Sequence, residues 1–378
     1  MKIPFNRPAR VGAEIEHIRD AIHRAKLSGD GRYTAACQAE ISRLAGGGNC
    51  LLTHSCTAAL EMSMLLIDLV PGDEVILPSF TFVSTANAVV LRGATPVFID
   101  IRPDTLNLDE RAVEEAISSR TRAIVAVHYA GLPAEMDVLN AAADRHGLVV
   151  VEDAAQAIGA TYRGRSAGSL GAMAAFSFHE TKNVISGEGG ALVVNDPRFV
   201  DRAEIVREKG TNRRQFLRGA VDKYTWVDIG SSYLPSELVA AYLYGQFEQF
   251  DAIQQDRMQT WTRYAEALGG LEALGFGLPH CPDHCTHNGH IFYLIAPTAV
   301  LRDRLIAAMK ADGIDTPFHY VPLHDAPFGR KVGRSIGDLA VTDDISSRLL
   351  RLPLYFGAGE DAERVIERVW HHARLLAG

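Results

Sequence analysis

The stretch from Leu148 to Val194, LVVVEDAAQAIGATYRGRSAGSLGAMAAFSFHETKNVISGEGGALVV, constrains the fold more than any other part of the chain. Leu148 to Val151 is a short, β-branched apolar run of the kind required by a strand buried on both faces, and it ends on two acids, Glu152 and Asp153. Ala174 to Phe178 is a second apolar strand. It leads through His179, Glu180 and Thr181 to Lys182, after which Gly187, Gly189 and Gly190 turn the chain into ALVV. Open α/β sheets bind ligands at the carboxyl ends of their strands, so this order predicts a carboxylate and an amine facing one crevice.

The same alternation runs through the chain. Asn49 to Thr53, Glu74 to Leu77, Thr95 to Ile99 and Ala123 to His128 read as buried strands, and Ala13 to Leu27, Ala58 to Leu69 and Ala134 to His146 as helices. Strand–helix alternation of this kind predicts an α/β fold with a parallel, right-handed wound sheet. At 378 residues and 47% hydrophobic composition the chain can bury a large core and divide in two. We expect a large domain over 1–245 and a smaller C-terminal domain over 246–378. A long helical pattern from Ser236 to Leu268 connects them, and Leu301 to Gly313 and Glu360 to Leu376 supply further helices. Pro4 to Pro8 reads as an extended arm, and Gly29, Gly31, Tyr33 and Thr34 as a loop.

Composition removes several classes of function. A net charge of −8 argues against a general nucleic-acid binder, which needs a basic face to neutralise phosphates. No charged-then-apolar leader opens the sequence and no uninterrupted apolar run reaches membrane-spanning length, so the expectation is a cytoplasmic protein with no membrane partner. Five cysteines at irregular spacing do not suggest a disulfide framework.

An aspartate and a lysine converging on a crevice suit pyridoxal phosphate. The lysine would hold the cofactor aldehyde, and an ionised aspartate would keep the pyridine nitrogen protonated, making the ring an electron sink. Taken singly, Lys182 is equally a surface residue before a loop, and Asp153 a helix cap. The combination is more specific: EDAAQ followed by SFHETKN and GEGG resembles the DegT-type sugar aminotransferases, a branch of the aspartate aminotransferase fold acting on nucleotide-linked keto sugars. Across nearly the whole chain, SCTAALEM, PSFTFVSTANA, SFHETKN and KYTWVDIGSSYLPSE are most similar to the dTDP-4-amino-4,6-dideoxygalactose transaminases within that family.

This resemblance implies a large, mostly parallel sheet of seven-stranded type with helices on both faces, a smaller α+β C-terminal domain, and a homodimer with shared active sites. It implies transfer of an amino group from L-glutamate to carbon 4 of a dTDP-4-keto-6-deoxyhexose, as in surface-polysaccharide biosynthesis. Lys182 and Asp153 would be catalytic. Ser55, Cys56 and Thr57 would form a phosphate cup at a helix N-terminus, although an ordinary N-cap accounts for Ser55 and Thr57 equally well. Cys56 stands where glycine is more usual. Phe82 would cover the pyridine ring, with Phe80 as the alternative; Gln156 and Ser177 would contact the cofactor; and Ser232, at a position often asparagine, would reach the neighbour's phosphate. His179 is taken as orienting or structural.

The most basic stretch, Arg207 to Trp226, is either a solvated loop or a clamp for a nucleotide-sugar pyrophosphate, with Arg207, Lys209, Arg213 and Arg214 as candidate contacts. His319, Tyr320 and His324 in FHYVPLHDAPFG are further candidates for substrate. His280, Cys281, His284, Cys285, His287 and His290 invite a zinc reading, but three residues rather than two separate the cysteines and there is no matching second half, so no metal is expected. In the resemblance Asn288, His290 and Tyr293 form the strand entry of the small domain. Alternatives are a UDP- or GDP-linked sugar, a non-catalytic cofactor-binding regulator, and a sugar dehydratase, against which Lys182 speaks because the characterised type has histidine there.

Overall fold

The computed structural model describes residues 2–377. Seven strands build the central sheet: β1 Asn49–Thr53, β2 Glu74–Pro78, β3 Thr95–Ile99, β4 Thr121–Val127, β5 Val149–Asp153, β6 Met173–Ser177 and β7 Gly190–Val194. Their order is β1-β7-β6-β5-β4-β2-β3, and the two-residue strand Arg334–Ser335 adds an eighth position beside β3. Only β7 runs against its neighbours. The sheet is therefore mainly parallel, and its strands are buried almost throughout, as helices on both faces require.

Alternate residues of each strand enter different cores. Val151 and Ala175 pack toward the helix Cys56–Leu66, Val150 toward Met136–His146, and Ala174 toward Arg32–Leu44 and Glu237–Phe247. A separate core lies among Phe250–Leu268, Ala299–Ala311, Gly359–Ala377 and the antiparallel pair Phe292–Ile295 and Leu349–Leu352. The two halves are interlocked. Ile3 from the arm joins the C-terminal core, pairing with Ile314, while Arg334–Ser335 returns to the main sheet.

Two local readings change. The expected loop at Gly31 to Thr34 opens the helix Arg32–Leu44, and the long connector divides into Glu237–Phe247 and Phe250–Leu268. A distant carboxylate causes the first change: Glu237 accepts the amides of Gly31, Tyr33 and Thr34, together with the Thr34 hydroxyl. Those amides are the ones a helix start leaves unpaired, so a cap from 200 residues away nucleates a helix that lacks a local cap.

Glu74 holds the added edge strand. Its buried carboxylate accepts from Arg334 Nη2 (2.8 Å), Arg120 Nη2 (2.5 Å) and the Ser118 hydroxyl (2.6 Å). The Arg334 bond, with help from Ser118 and Arg120, lowers its pKa from 4.5 to about 2. The ionised form is the paired form, so its contribution is complete above about 4.5 and lost as pH falls toward 2. Glu74→Gln should cost about 1–3 kcal/mol at neutral pH, because both arginines remain partly solvated. The variant should also lose part of the wild-type decline in stability across that acid window; identical unfolding curves from pH 7 to pH 3 would show that the pairing contributes nothing.

Candidate active site

The carboxyl ends of β5 and β6 lie side by side, with Asp153 opposite Ala175, and open on a cavity of about 800 Å³. Adjacent acids at the end of β5 take opposite directions, as neighbouring strand residues must. Glu152 points away from the cavity. It accepts the amides of Gly168, Leu170 and Gly171, each at 2.7 Å, and lies 2.9 Å from His128 Nε2, so it ties down the turn before β6. Asp153 lines the cavity instead. The Thr85 hydroxyl donates to its Oδ2 at 2.7 Å and the Ala155 amide to its Oδ1 at 3.3 Å. Burial raises the Asp153 pKa above the ordinary carboxylate value, while these bonds and the Lys182 charge oppose the rise.

Lys182 follows β6 through a turn in which its amide donates to the His179 carbonyl at 2.9 Å. Its side chain lines the same cavity, and its amine has no hydrogen-bond or ion-pair partner among the described residues. Burial lowers its pKa from the ordinary lysine value, against the opposing influence of Cys56 and Asp153.

The N-terminus of Cys56–Leu66 meets this cavity. Ser55 is its N-cap, accepting the Ala58 amide at 3.1 Å, and the Thr57 hydroxyl lies 2.8 Å from that of Ser84. Ser55, Cys56, Thr57 and Ser177 all line the cavity. β7 presses against this helix start: a Cβ at Gly190 would lie 2.3 Å from the Cys56 amide nitrogen, so only glycine allows the approach. A buried carboxylate, an unpartnered amine and a helix N-terminus flanked by hydroxyls match the three polar handles of pyridoxal phosphate: ring nitrogen, aldehyde and phosphate.

Residues 9–370 match the DegT/DnrJ/EryC1/StrS aminotransferase family. The chain belongs to that family. Solved structures to which the chain is similar include the aminotransferase TlmJ from Streptoalloteichus hindustanus, 29% identical over all of both chains with a TM-score of 0.91. DesV of S. venezuelae, solved with a ketimine intermediate, is 33% identical over 98% of each chain with a TM-score of 0.89. DesI, solved in the presence of its TDP-sugar product, is 30% identical, covering 99% of this chain and 94% of its own, with a TM-score of 0.88. This family member is a pyridoxal-phosphate-dependent sugar aminotransferase.

Within the DegT fold the other candidate residues separate clearly. Phe82 lines the cavity and is 58% exposed, whereas Phe80 is buried in the core. Gln156 accepts the Ala130 amide at 2.7 Å and donates to the Tyr320 hydroxyl at 3.1 Å, so it spans the two halves of the chain. His319 and Tyr320 both line the cavity, and His319 Nδ1 lies 3.0 Å from the Tyr129 hydroxyl. His179 lines its rim, with Nδ1 2.9 Å from the Thr181 hydroxyl.

Other candidates lie elsewhere. Arg207 is 1% exposed and paired with Asp30, which makes it a structural cation rather than a substrate contact. Arg213 pairs with Glu208, Arg214 with Glu204 and Asp30, and Arg218 with Glu204, so nearby acids neutralise most of the basic run. None of these arginines, nor exposed Lys209, lines the cavity of its own chain. His324 is also displaced: the turn binds its amide to Ser79 Oγ at 3.0 Å, and its ring bridges Ser79 and Asp343. Ser232 is exposed and likewise outside this cavity.

In the histidine–cysteine stretch, His284 bonds Glu135 and the His287 ring lies 4.1 Å from Trp261. Among the described residues no group of three or more His, Cys, Asp or Glu side chains is arranged to hold a metal. Sequence reasoning missed Thr85, Phe5, Asn6 and Arg351, all of which line the cavity. Thr85 had a signal: it lies three residues after Phe82, one helical turn along the same motif.

Proposed function

We propose that this enzyme transfers the amino group of L-glutamate to carbon 4 of a dTDP-linked 4-keto-6-deoxyhexose, of the dTDP-4-amino-4,6-dideoxygalactose type, in the cytoplasm. The observation that carries the acceptor class is the 30% identity, along 99% of the chain, to DesI, whose structure was obtained with its TDP-sugar product. The cavity supports it. About 800 Å³ lies toward the upper end of the range for small-molecule sites and has room for a sugar beside a cofactor. All five cysteines are unpaired, which suits a reducing compartment.

Pyridoxal phosphate supplies an aldehyde that takes up an amine and a pyridinium ring that delocalises an electron pair from the adjacent carbon. Lys182 would anchor that aldehyde and, as a free amine in the cavity, would carry the proton leaving the donor's α-carbon. The burial that lowers its pKa increases its neutral fraction, the form that accepts a proton. Asp153, oriented by the Thr85 hydroxyl and the Ala155 amide, would pair with the ring nitrogen. The Cys56–Leu66 N-terminus with Ser55, Thr57 and Ser177 would receive the phosphate, and Phe82 and Gln156 would contact the ring.

Ser232 is exposed and lies outside the cavity of its own chain, which leaves it free to serve a neighbour's site in the homodimer proposed here. Inactive Lys182→Ala chains mixed with Ser232→Ala chains should then show activity different from either parent, and a fully active monomer in sedimentation would end that reading. For the acceptor, the aminated enzyme should react with a dTDP-4-keto-6-deoxyhexose at least about 10²-fold faster than with the free sugar, since remote binding contributes to rate as well as affinity. Faster reaction with UDP- or GDP-linked sugars would move the assignment to that nucleotide. Efficient transfer only to free 2-oxo acids would replace it with a general amino-acid transaminase.

A further inference from the structure

The N-terminal arm crosses the edge of the cavity and is fastened at both ends. Ile3 is 1% exposed inside the C-terminal core, where its amide donates to the Gly313 carbonyl at 2.8 Å and its carbonyl accepts the Asp315 amide at 3.0 Å. Ala9 is buried at the other end, and its carbonyl accepts from Gln246 Nε2 at 3.2 Å, on the helix Glu237–Phe247. Between these anchors the burial changes. Phe5 and Asn6 are half-buried and line the cavity, while Arg7 and Pro8 are exposed, so this segment has cavity on one side and solvent on the other. Pro4 and Pro8 bracket it and have no amide hydrogen to give, and the amides of Phe5, Asn6 and Arg7 make no hydrogen bond among the described residues. No ladder of backbone bonds holds the middle of the arm down.

Side chains hold it instead. The Arg7 guanidinium lies 5.0 Å from the Tyr355 ring and 3.9 Å from Asp361, and the Phe5 ring lies 4.3 Å from the Arg351 guanidinium carbon. Asn6 reaches the other way: its Nδ2 donates at 3.0 Å to the carbonyl of Glu180, in the turn that carries Lys182. That bond closes the seam between the arm and the main domain. A solvent-exposed hydrogen bond is exchanged for water at little cost, and exposed cation–π contacts and ion pairs are of similar size. The middle of the arm is therefore latched by contacts that local motion breaks readily, while both ends stay fixed.

We propose that residues 4–8 are a gate. Asn6 releases Glu180 and Phe5 leaves Arg351, with Ile3 and Ala9 as the fixed ends, to let the cofactor and substrates pass between solvent and Lys182. The inference concerns entry to the cavity and holds whichever sugar is the acceptor. A gate has a kinetic signature that a ligand contact lacks. The same latch closes the empty and the occupied cavity, so loosening it speeds entry and exit by one factor and leaves affinity unchanged, whereas a lost ligand contact lowers affinity through the exit rate.

The test measures binding of pyridoxamine phosphate to cofactor-free protein by stopped-flow fluorescence, and its release into an excess of pyridoxal phosphate. The amine form of the cofactor makes no covalent bond with Lys182, so both rate constants report passage rather than chemistry. Asn6→Leu keeps the side-chain volume and removes the donor; Phe5→Leu keeps an apolar side chain and removes the π face. Asn6→Leu should raise the entry and exit rate constants alike, each about 3–10-fold, with Kd within about twofold of wild type. Phe5→Leu should raise both about 2–5-fold, and the double variant should exceed either single one. Melting temperatures of the cofactor-free variants should match wild type, because the Asn6 bond is exposed. Unchanged rate constants overturn the gate. A Kd raised through the exit rate alone makes these residues ligand contacts and overturns it, as does a lowered melting temperature, which makes the arm a structural tie.

Discussion

Replacing Lys182 with alanine should abolish covalent cofactor attachment and turnover together, while leaving the fold in place. The amine has no partner among the described residues, so its loss breaks no hydrogen bond or ion pair. Its burial is unfavourable to the charged form, which makes removal no burden on folding. The catalytic loss is of another size: anchoring and proton transfer disappear at once, and turnover should fall by at least about 10⁴-fold. Borohydride treatment followed by mass spectrometry reads attachment directly, expecting modified Lys182 in the wild type and no adduct in the variant. An adduct at another lysine, or turnover within tenfold of wild type, would sink the assignment.

Asp153→Asn is the second large effect, and here stability and activity should part. Burial raises the folded pKa of Asp153, so ionisation opposes folding. Its stabilising contribution is complete at low pH and is lost as pH rises from 3.8 through the raised value. Asparagine removes that penalty while keeping shape, and the Thr85 hydroxyl can still donate to the amide oxygen. The cofactor-free variant should therefore melt at the wild-type temperature or slightly above it near neutral pH. Turnover should nevertheless fall about 10²–10³-fold, the scale of losing one preorganised charge in a buried site. Near-normal turnover would remove Asp153 from the chemistry; a large drop in melting temperature would make its role structural.

Glu152 and Asp153 illustrate how far a sequence can go at this site. Both end the same apolar run, and the period of two guarantees only that they point in opposite directions. Which one faces the cavity depends on where the loop 168–171 and its amides lie, because those amides claim Glu152. The wording EDAAQ favoured Asp153 through resemblance, and the cavity geometry supplies a physical reason for the choice. Tyr320 and His324 repeat the lesson four residues apart. They share one polar loop in sequence, yet Tyr320 meets Gln156 across the cavity while Ser79 and Asp343 draw His324 away.

Sequence alone determined the alternating α/β plan, the parallel sheet and the arrival of an acid and a lysine at neighbouring strand ends, because these depend on periodicity and on short-range order along the chain. Only the tertiary structure decided what depends on partners distant in sequence. Glu237 starts a helix at Arg32, Asp30 buries Arg207, and Glu204 and Glu208 occupy the arginines expected to hold a diphosphate. Arg351 was silent for the same reason. In LLRLPL it is one polar residue in an apolar strand, and its setting comes from the Phe5 arm and the Phe318 loop that fold over it. A charge reads identically in sequence whether it is solvated, paired or buried, since burial and pairing energies arise only after the chain has brought its remote segments together.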